Sequence, residues 1–132
     1  MDKILCLVCL PPPIHGASIM ANIIKTNKTF NQTYDAHYIN THTSTTISEI
    51  GDFRLSKLLS VFTLMIRLIY ELIVFRPHKV YFSFNVSGIG FIRDFIYLMV
   101  IKMFGKKVFL HFHTKGINYK SRGFLYNAAF SK

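Results

Sequence analysis

Three short segments hold the residues of this chain whose types and spacing could do chemistry. The first is Pro11-Pro12-Pro13-Ile14-His15-Gly16-Ala17-Ser18, which follows an apolar run and leads into a helical pattern. The prolines stiffen the exit, and Gly16 removes a side chain where backbone can approach a ligand. A helix starting there would aim free N–H groups and the positive end of its dipole at that point, which suits a phosphate. A plain turn with Ser18 as the helix N-cap accounts for the same residues.

The second segment is Asn85-Val86-Ser87-Gly88-Ile89-Gly90, small and polar. It can line a cleft and cap the next helix, or serve only as a turn with two flexible glycines. The third is His111-Phe112-His113-Thr114-Lys115-Gly116. Residues 111 and 113 face the same way if a strand persists. Two histidines on one face can hold zinc, but no third ligand has matching spacing. At a strand end a histidine can instead hydrogen-bond a bound sugar or phosphate, or shuttle a proton. A histidine satisfied in the core is the competing account.

Several chemistries are excluded. The chain has neither GxGxxG nor a Walker A loop, so it lacks a dinucleotide or ATP fingerprint. Cys6 and Cys9 form a lone CxxC. Strand residues three apart face opposite sides, so these two read as free thiols of a reduced cytosol rather than a redox or metal pair. Acidic residues number only 6, and no Ser-His-Asp arrangement or carboxylate pair can be placed. The other histidines, His15, His37, His42 and His78, carry no comparable argument.

The elements that position these segments follow from periodicity. Four β-rich runs cover 3–10, 34–40, 79–84 and 107–112, the first almost continuously apolar, as in a strand covered on both faces. Between them Ile19, Met20, Ile23 and Ile24 share one helical face. A longer helix covers 55–75 and stops at Arg76-Pro77. A third covers 90–104 and stops at Gly105, and a fourth begins near Ser121. This alternation predicts an α/β fold with a parallel sheet and right-handed crossovers. The polar stretch 41–54 is long enough to be a functional loop.

With 132 residues, 51% hydrophobic and 17% charged, the chain has the length of one globular domain. Its net charge of +10 favours anionic partners: nucleotide phosphates, nucleic acid or an anionic lipid surface. Nucleic-acid binding wants exposed aromatics among the basic residues, whereas most aromatics here fall inside apolar periods. The late cluster Lys102, Lys106, Lys107, Lys115, Lys120 and Arg122 fits a solvated face or lipid headgroups. The N-terminus makes a poor signal peptide. A transmembrane hairpin is a rival reading of the two long helices. Against it, Ser56, Ser60, Thr63, Arg67 and Glu71 form a polar stripe down the first, and Arg93 and Asp94 would put a charge pair mid-span in the second. Arg67 and Glu71 stand one turn apart and can pair.

Taken in order, PPPIHGAS, a polar loop ending GDFRLSKLL, VYFSF followed by NVSGIGFIRDF, and KMFGKKVFLHFHTKG resemble the N-terminal half of bacterial retaining glycosyltransferases of family 4, over about positions 3–120. The resemblance implies the Rossmann-like, acceptor-side half of a GT-B fold that uses a nucleotide-sugar donor and needs no other cofactor. It implies transfer to a cell-surface polysaccharide or lipid-linked acceptor, in the cytoplasm and peripherally on the inner face of the plasma membrane. It places Gly16 and Ala17 near the donor diphosphate, where many members carry two glycines. It puts His113 at the reaction centre with His111 and Thr114 on the donor, and His15, Asn85, Ser87 and Gly88 on the acceptor side of the cleft. The loop 41–54 and the basic helices would face the acceptor. The family's second half, with its Glu-x7-Glu motif, has no counterpart in these residues, so a truncated chain or one subunit of a split enzyme is expected, with a missing half or partner subunit supplying the donor site. The alternatives are a non-catalytic, membrane-associated subunit of a split transferase and a small helical-hairpin membrane protein.

Overall fold

The computed structural model describes residues 1–42, 55–86 and 88–112, and of 55–57 the backbone only. The elements run β1 (Asp2–Val8), α1 (Gly16–Thr26), α2 (Lys28–Thr33), β2 (Tyr34–Asn40), α3 (Leu55–Val74), β3 (Lys79–Phe84), α4 (Gly88–Met103) and β4 (Lys107–Phe112). The four strands form one all-parallel sheet in the order β2-β1-β3-β4, flanked by helices on both faces. The protein is therefore an α/β protein with a Rossmann-like sheet.

β1 is the inner strand on which the rest register. Leu7 lies between Ile39 of β2 and Phe82 of β3. Its residues Ile4 to Val8 are all buried, because helices cover both faces. Strand alternation divides them between two cores. Leu5 and Leu7 join Ile39, Val80, Phe82 and Phe84, and on these pack Leu68 and Leu72 of α3 and Tyr97, Leu98 and Ile101 of α4. Ile4, Cys6 and Val8 face the other way, under Ala21 of α1 with Phe30, Tyr34 and Tyr38 around them. Chain direction explains the split. The connection through α1 steps to one side of β1 and those through α3 and α4 step to the other, so right-handed crossovers put them on opposite faces.

The strands 34–40, 79–84 and 107–112 form as the periodicity predicts, while the first ends at Val8, ahead of the prolines. Two expectations need correction, and one helix is additional. The apolar face read into α1 turns outward: Ile19, Met20 and Ile23 are exposed, and the helix rests on Ser18 and Ala21. Small residues let it lie close to the sheet. The short α2, capped by the Asn27 side chain accepting from the Phe30 amide at 2.8 Å, has no apolar period to announce it. On α3 the Glu71 carboxylate is taken by His37 of β2 at 2.9 Å instead of by Arg67. α3 ends where Arg76 turns to φ +52 ahead of Pro77, and α4 ends at Gly105. Among the described residues no helix is long and apolar enough to cross a membrane. The helix expected near Ser121 lies outside the described residues.

Candidate functional site

In an open parallel sheet a ligand binds beyond the carboxyl ends of the strands, where neighbouring connections leave in opposite directions. Here that point lies between β1 and β3. The two segments singled out on the sequence are the connections that leave those strands. His15, Gly16 and Ala17 follow β1, and Asn85 and Gly88 follow β3.

α1 begins three residues earlier than a Ser18 cap would place it. His15 is the N-cap: its Nδ1 accepts from the Ser18 amide at 3.2 Å, while Ser18 Oγ accepts from the His15 amide at 2.8 Å. Ser18 is the buried third residue of the helix. The reciprocal cap takes the Ser18 amide and leaves those of Gly16 and Ala17 ahead of the first helical bond, from Ile19 N–H to His15 O at 3.0 Å. Gly16 is exposed, and a Cβ built on it meets nothing within 4 Å. Neither packing nor backbone conformation therefore demands glycine here.

The cap also fixes the imidazole. A ring that accepts at Nδ1 carries its proton at Nε2, and His15 Nε2 lies 3.4 Å from Nε2 of His42. His15 donates and His42 accepts. His42 is held in turn by its backbone amide, which donates to Asn40 Oδ1 at 3.1 Å; the same oxygen accepts from the Leu10 amide at 3.0 Å. One asparagine thus joins the exits of β1 and β2.

Beneath the rim lies a buried polar cluster. Asp94 of α4, fully buried, accepts from the Asn85 backbone amide at 2.9 Å, from Asn85 Nδ2 at 2.7 Å and from Arg93 Nε at 2.7 Å. Arg93 reaches on to the Thr41 carbonyl at 3.1 Å, and Thr41 Oγ1 meets Cys9 Sγ at 3.4 Å. The ends of β1, β2 and β3 are so tied to α4. Burial pushes the Asp94 carboxyl above its ordinary value, opposed by the Arg93 charge and the Asn85 donors. All its partners are N–H groups, so the arrangement fits the carboxylate. Gly90 lies close under Asn85, whose Cβ is 3.3 Å from a Cβ built there. Gly88 starts α4 at φ +68, a conformation that favours glycine.

At the end of β4, His111 Nδ1 is hydrogen-bonded to the Tyr81 hydroxyl, on the sheet face that also carries α1. Burial raises the Tyr81 pKa, so the phenol keeps its proton. His113, Thr114 and Ser87 lie outside the described residues, as do residues 43–54 of the polar loop and Lys115, Lys120 and Arg122.

The structure therefore brings His15, Gly16, Ala17, Asn85 and Gly88 to one end of the sheet, on adjacent strands. Sequence reasoning missed His42 and the Arg93–Asp94 pair. Asp94 was visible as an acid on the core side of an otherwise apolar helix, at the spacing of Leu98 and Ile101; His42 had no signal, because only the fold brings it to His15. Among the described residues no three His, Cys, Asp or Glu side chains gather as a metal site. Both thiols are poor nucleophiles: burial pushes Cys6 up to about 12 and raises Cys9 as well. The rim can offer hydrogen bonds and a helix N-terminus to an anion.

No family model matches the chain, and no curated protein and no solved structure matches it either.

Proposed function

We propose that this chain is the acceptor-side half of a nucleotide-sugar glycosyltransferase that retains configuration and transfers to a cell-surface polysaccharide or lipid-linked acceptor. The observation that carries the reading is the position of the switch point, with the capped start of α1 on one side and the Asn85–Gly88 exit on the other. The start of α1 suits the donor's diphosphate: it presents amide groups, a dipole end and, at Gly16, room for backbone approach. His15, Asn85, Ser87 and Gly88 line the acceptor side. His113, with His111 and Thr114, meets the transferred sugar. The donor's nucleotide is held by a second half or partner subunit, and the exposed Ile14, Ile19, Met20 and Ile23 beside the rim supply an apolar surface for it. A reaction carried out between two halves has little rate in one of them, because neither orientation nor proximity is complete. The reading places the protein in the cytoplasm, peripherally on the inner face of the plasma membrane.

The test joins this chain to its donor-binding half and assays a panel of nucleotide sugars against lipid-linked acceptors. His113→Ala in the joined enzyme is expected to lower transfer by about a hundredfold, a usual general acid–base or charge-stabilising contribution. Retention of full transfer removes His113 from the site, and no transfer with any donor overturns the reading.

A further inference from the structure

Amphipathic helices on a sheet normally bury one stripe and present polar residues outward. α3 and α4 do not. They lie side by side on the same sheet face, joined by the Tyr97 hydroxyl donating to the Val61 carbonyl at 3.0 Å. α3 buries Leu68 and Leu72 yet also exposes Leu59, Phe62, Ile66, Tyr70 and Ile73. α4 buries Tyr97, Leu98 and Ile101 yet exposes Ile89, Ile92, Ile96, Met99 and Met103, spaced three and four apart. Phe62 is 69% exposed and Met103 83%. The two outward stripes, on helices that lie side by side, present an exposed apolar face of the kind that marks an interaction surface. The polar stripe of α3 runs along its flank, where Glu71 meets His37.

Charge selects the occupant. Among the described residues the acids of these helices are turned away from the outer face: Glu71 pairs with His37 and Asp94 is fully buried. The cations are not. Arg67 is exposed on α3, Arg76 and Lys102 are exposed where the two helices end, at the same edge of the layer, and Lys106 follows half-buried. A second copy would set like charges against like around this face, in a chain of net charge +10. An anionic lipid surface satisfies both features: acyl chains accept the apolar stripes and headgroups accept the rim.

We propose that the outer face of α3 and α4 is a monotopic docking surface for an anionic bilayer, with both helices lying in the plane of the interface. This deepens the peripheral-membrane part of the proposed function and uses none of its chemistry. The surface is made of the two helices, and its depth is set by Phe62, Ile66, Ile92 and Ile96.

The chain has no tryptophan, so single substitutions report position directly. The full chain is mixed with phosphatidylcholine vesicles with and without phosphatidylglycerol and sedimented. Wild type is expected to partition onto the anionic vesicles. The paired changes Phe62→Gln with Ile66→Gln, and Ile92→Gln with Ile96→Gln, are each expected to weaken partitioning by about tenfold or more, with helix content by circular dichroism unchanged. Phe62→Trp and Ile96→Trp should shift to the blue and be quenched by brominated acyl chains, while Gln32→Trp, on α2 across the sheet, should not. Absence of partitioning, equal partitioning of the variants, or equal quenching at 32 overturns the proposal. So does a wild-type dimer that the glutamines convert to monomer without any vesicle binding, which would assign the face to a second copy. A joined enzyme inactive toward every donor leaves these readouts untouched.

Discussion

The strand-end cluster and the outer face of α3 and α4 solve opposite problems with the same helix. On its inner side α4 carries Asp94, a buried charge whose hydrogen bonds are all made within the chain. No buried side-chain nitrogen or oxygen among the described residues lacks a partner. On its outer side α4 carries Ile89, Ile92, Ile96, Met99 and Met103, all of them exposed. The polar end is over-determined, so its geometry serves to hold the exits of β1, β2 and β3 in place. The apolar face contributes nothing to that geometry, and its residues gain only by meeting something else. Hydrogen bonds, not bulk, fix the candidate site, and bulk, not hydrogen bonds, remains to be used on the surface.

The sharpest way to break this contrast is to remove one residue from each region. Asp94→Ala strands the Asn85 amides and the Arg93 guanidinium in a buried place, and loss of one partner of a buried charged cluster costs about 3–5 kcal/mol. Phe62→Gln removes an outward ring and is expected to change stability by about 0.5 kcal/mol or less. Urea titration of the two variants measures both, with the Asp94 variant shifting its midpoint and the Phe62 variant keeping it. If the two shifts were equal, the cluster would not be what holds the strand ends.

A smaller effect separates the cluster from the apolar cores. Burial is the leading cause that holds the protons of Cys6 and Tyr97, raising Cys6 from 9.0 to about 12 and Tyr97 from 10.0 to about 12. The unfolded chain loses these protons first, so the native state binds more protons above pH 9 and stability falls as pH rises from there toward 12. Cys6→Val should flatten the lower part of that slope, leaving the parts due to Cys9 and to the tyrosines Tyr38, Tyr81 and Tyr97, whose protons burial also holds. Denaturant midpoints across this alkaline range supply the measurement, and a Cys6→Val curve parallel to wild type would mean the thiol is not sealed.

The strands were legible because alternation is a local property: 34–40, 79–84 and 107–112 stand in the structure as they stand in the chain. So were the two loops of the site, since the switch point follows from element order. What was not legible depends on depth and on distance. Ile19, Met20 and Ile23 have the right period for a buried face, but Ser18 and Ala21 on the other side let α1 approach the sheet more closely, and closeness won. Asp94 reads in the chain only as a charge unsuited to a membrane span, because its partner Asn85, nine residues earlier, lies in the exit of β3. The contact of His15 with His42 spans 27 residues and needs β2 paired to β1 before it exists.

The smallest predicted effect is the one that best separates fold from ligand at the rim. Gly16 and Gly88 both open helices at the candidate site, yet for different reasons. Gly88 sits at φ +68, so Gly88→Ala should cost about 1 kcal/mol through strain. Gly16 has no left-handed backbone and open space around a Cβ, so Gly16→Ala should leave stability unchanged or raise it by up to about 1 kcal/mol, by narrowing the unfolded ensemble. A Gly16→Ala chain that is no less stable, but transfers sugar more slowly once joined to its donor-binding half, would show that the space at Gly16 is filled by the substrate. A destabilised Gly16→Ala variant would show instead that the capped turn uses the glycine for itself, and the phosphate-facing role of the α1 start would lose its support.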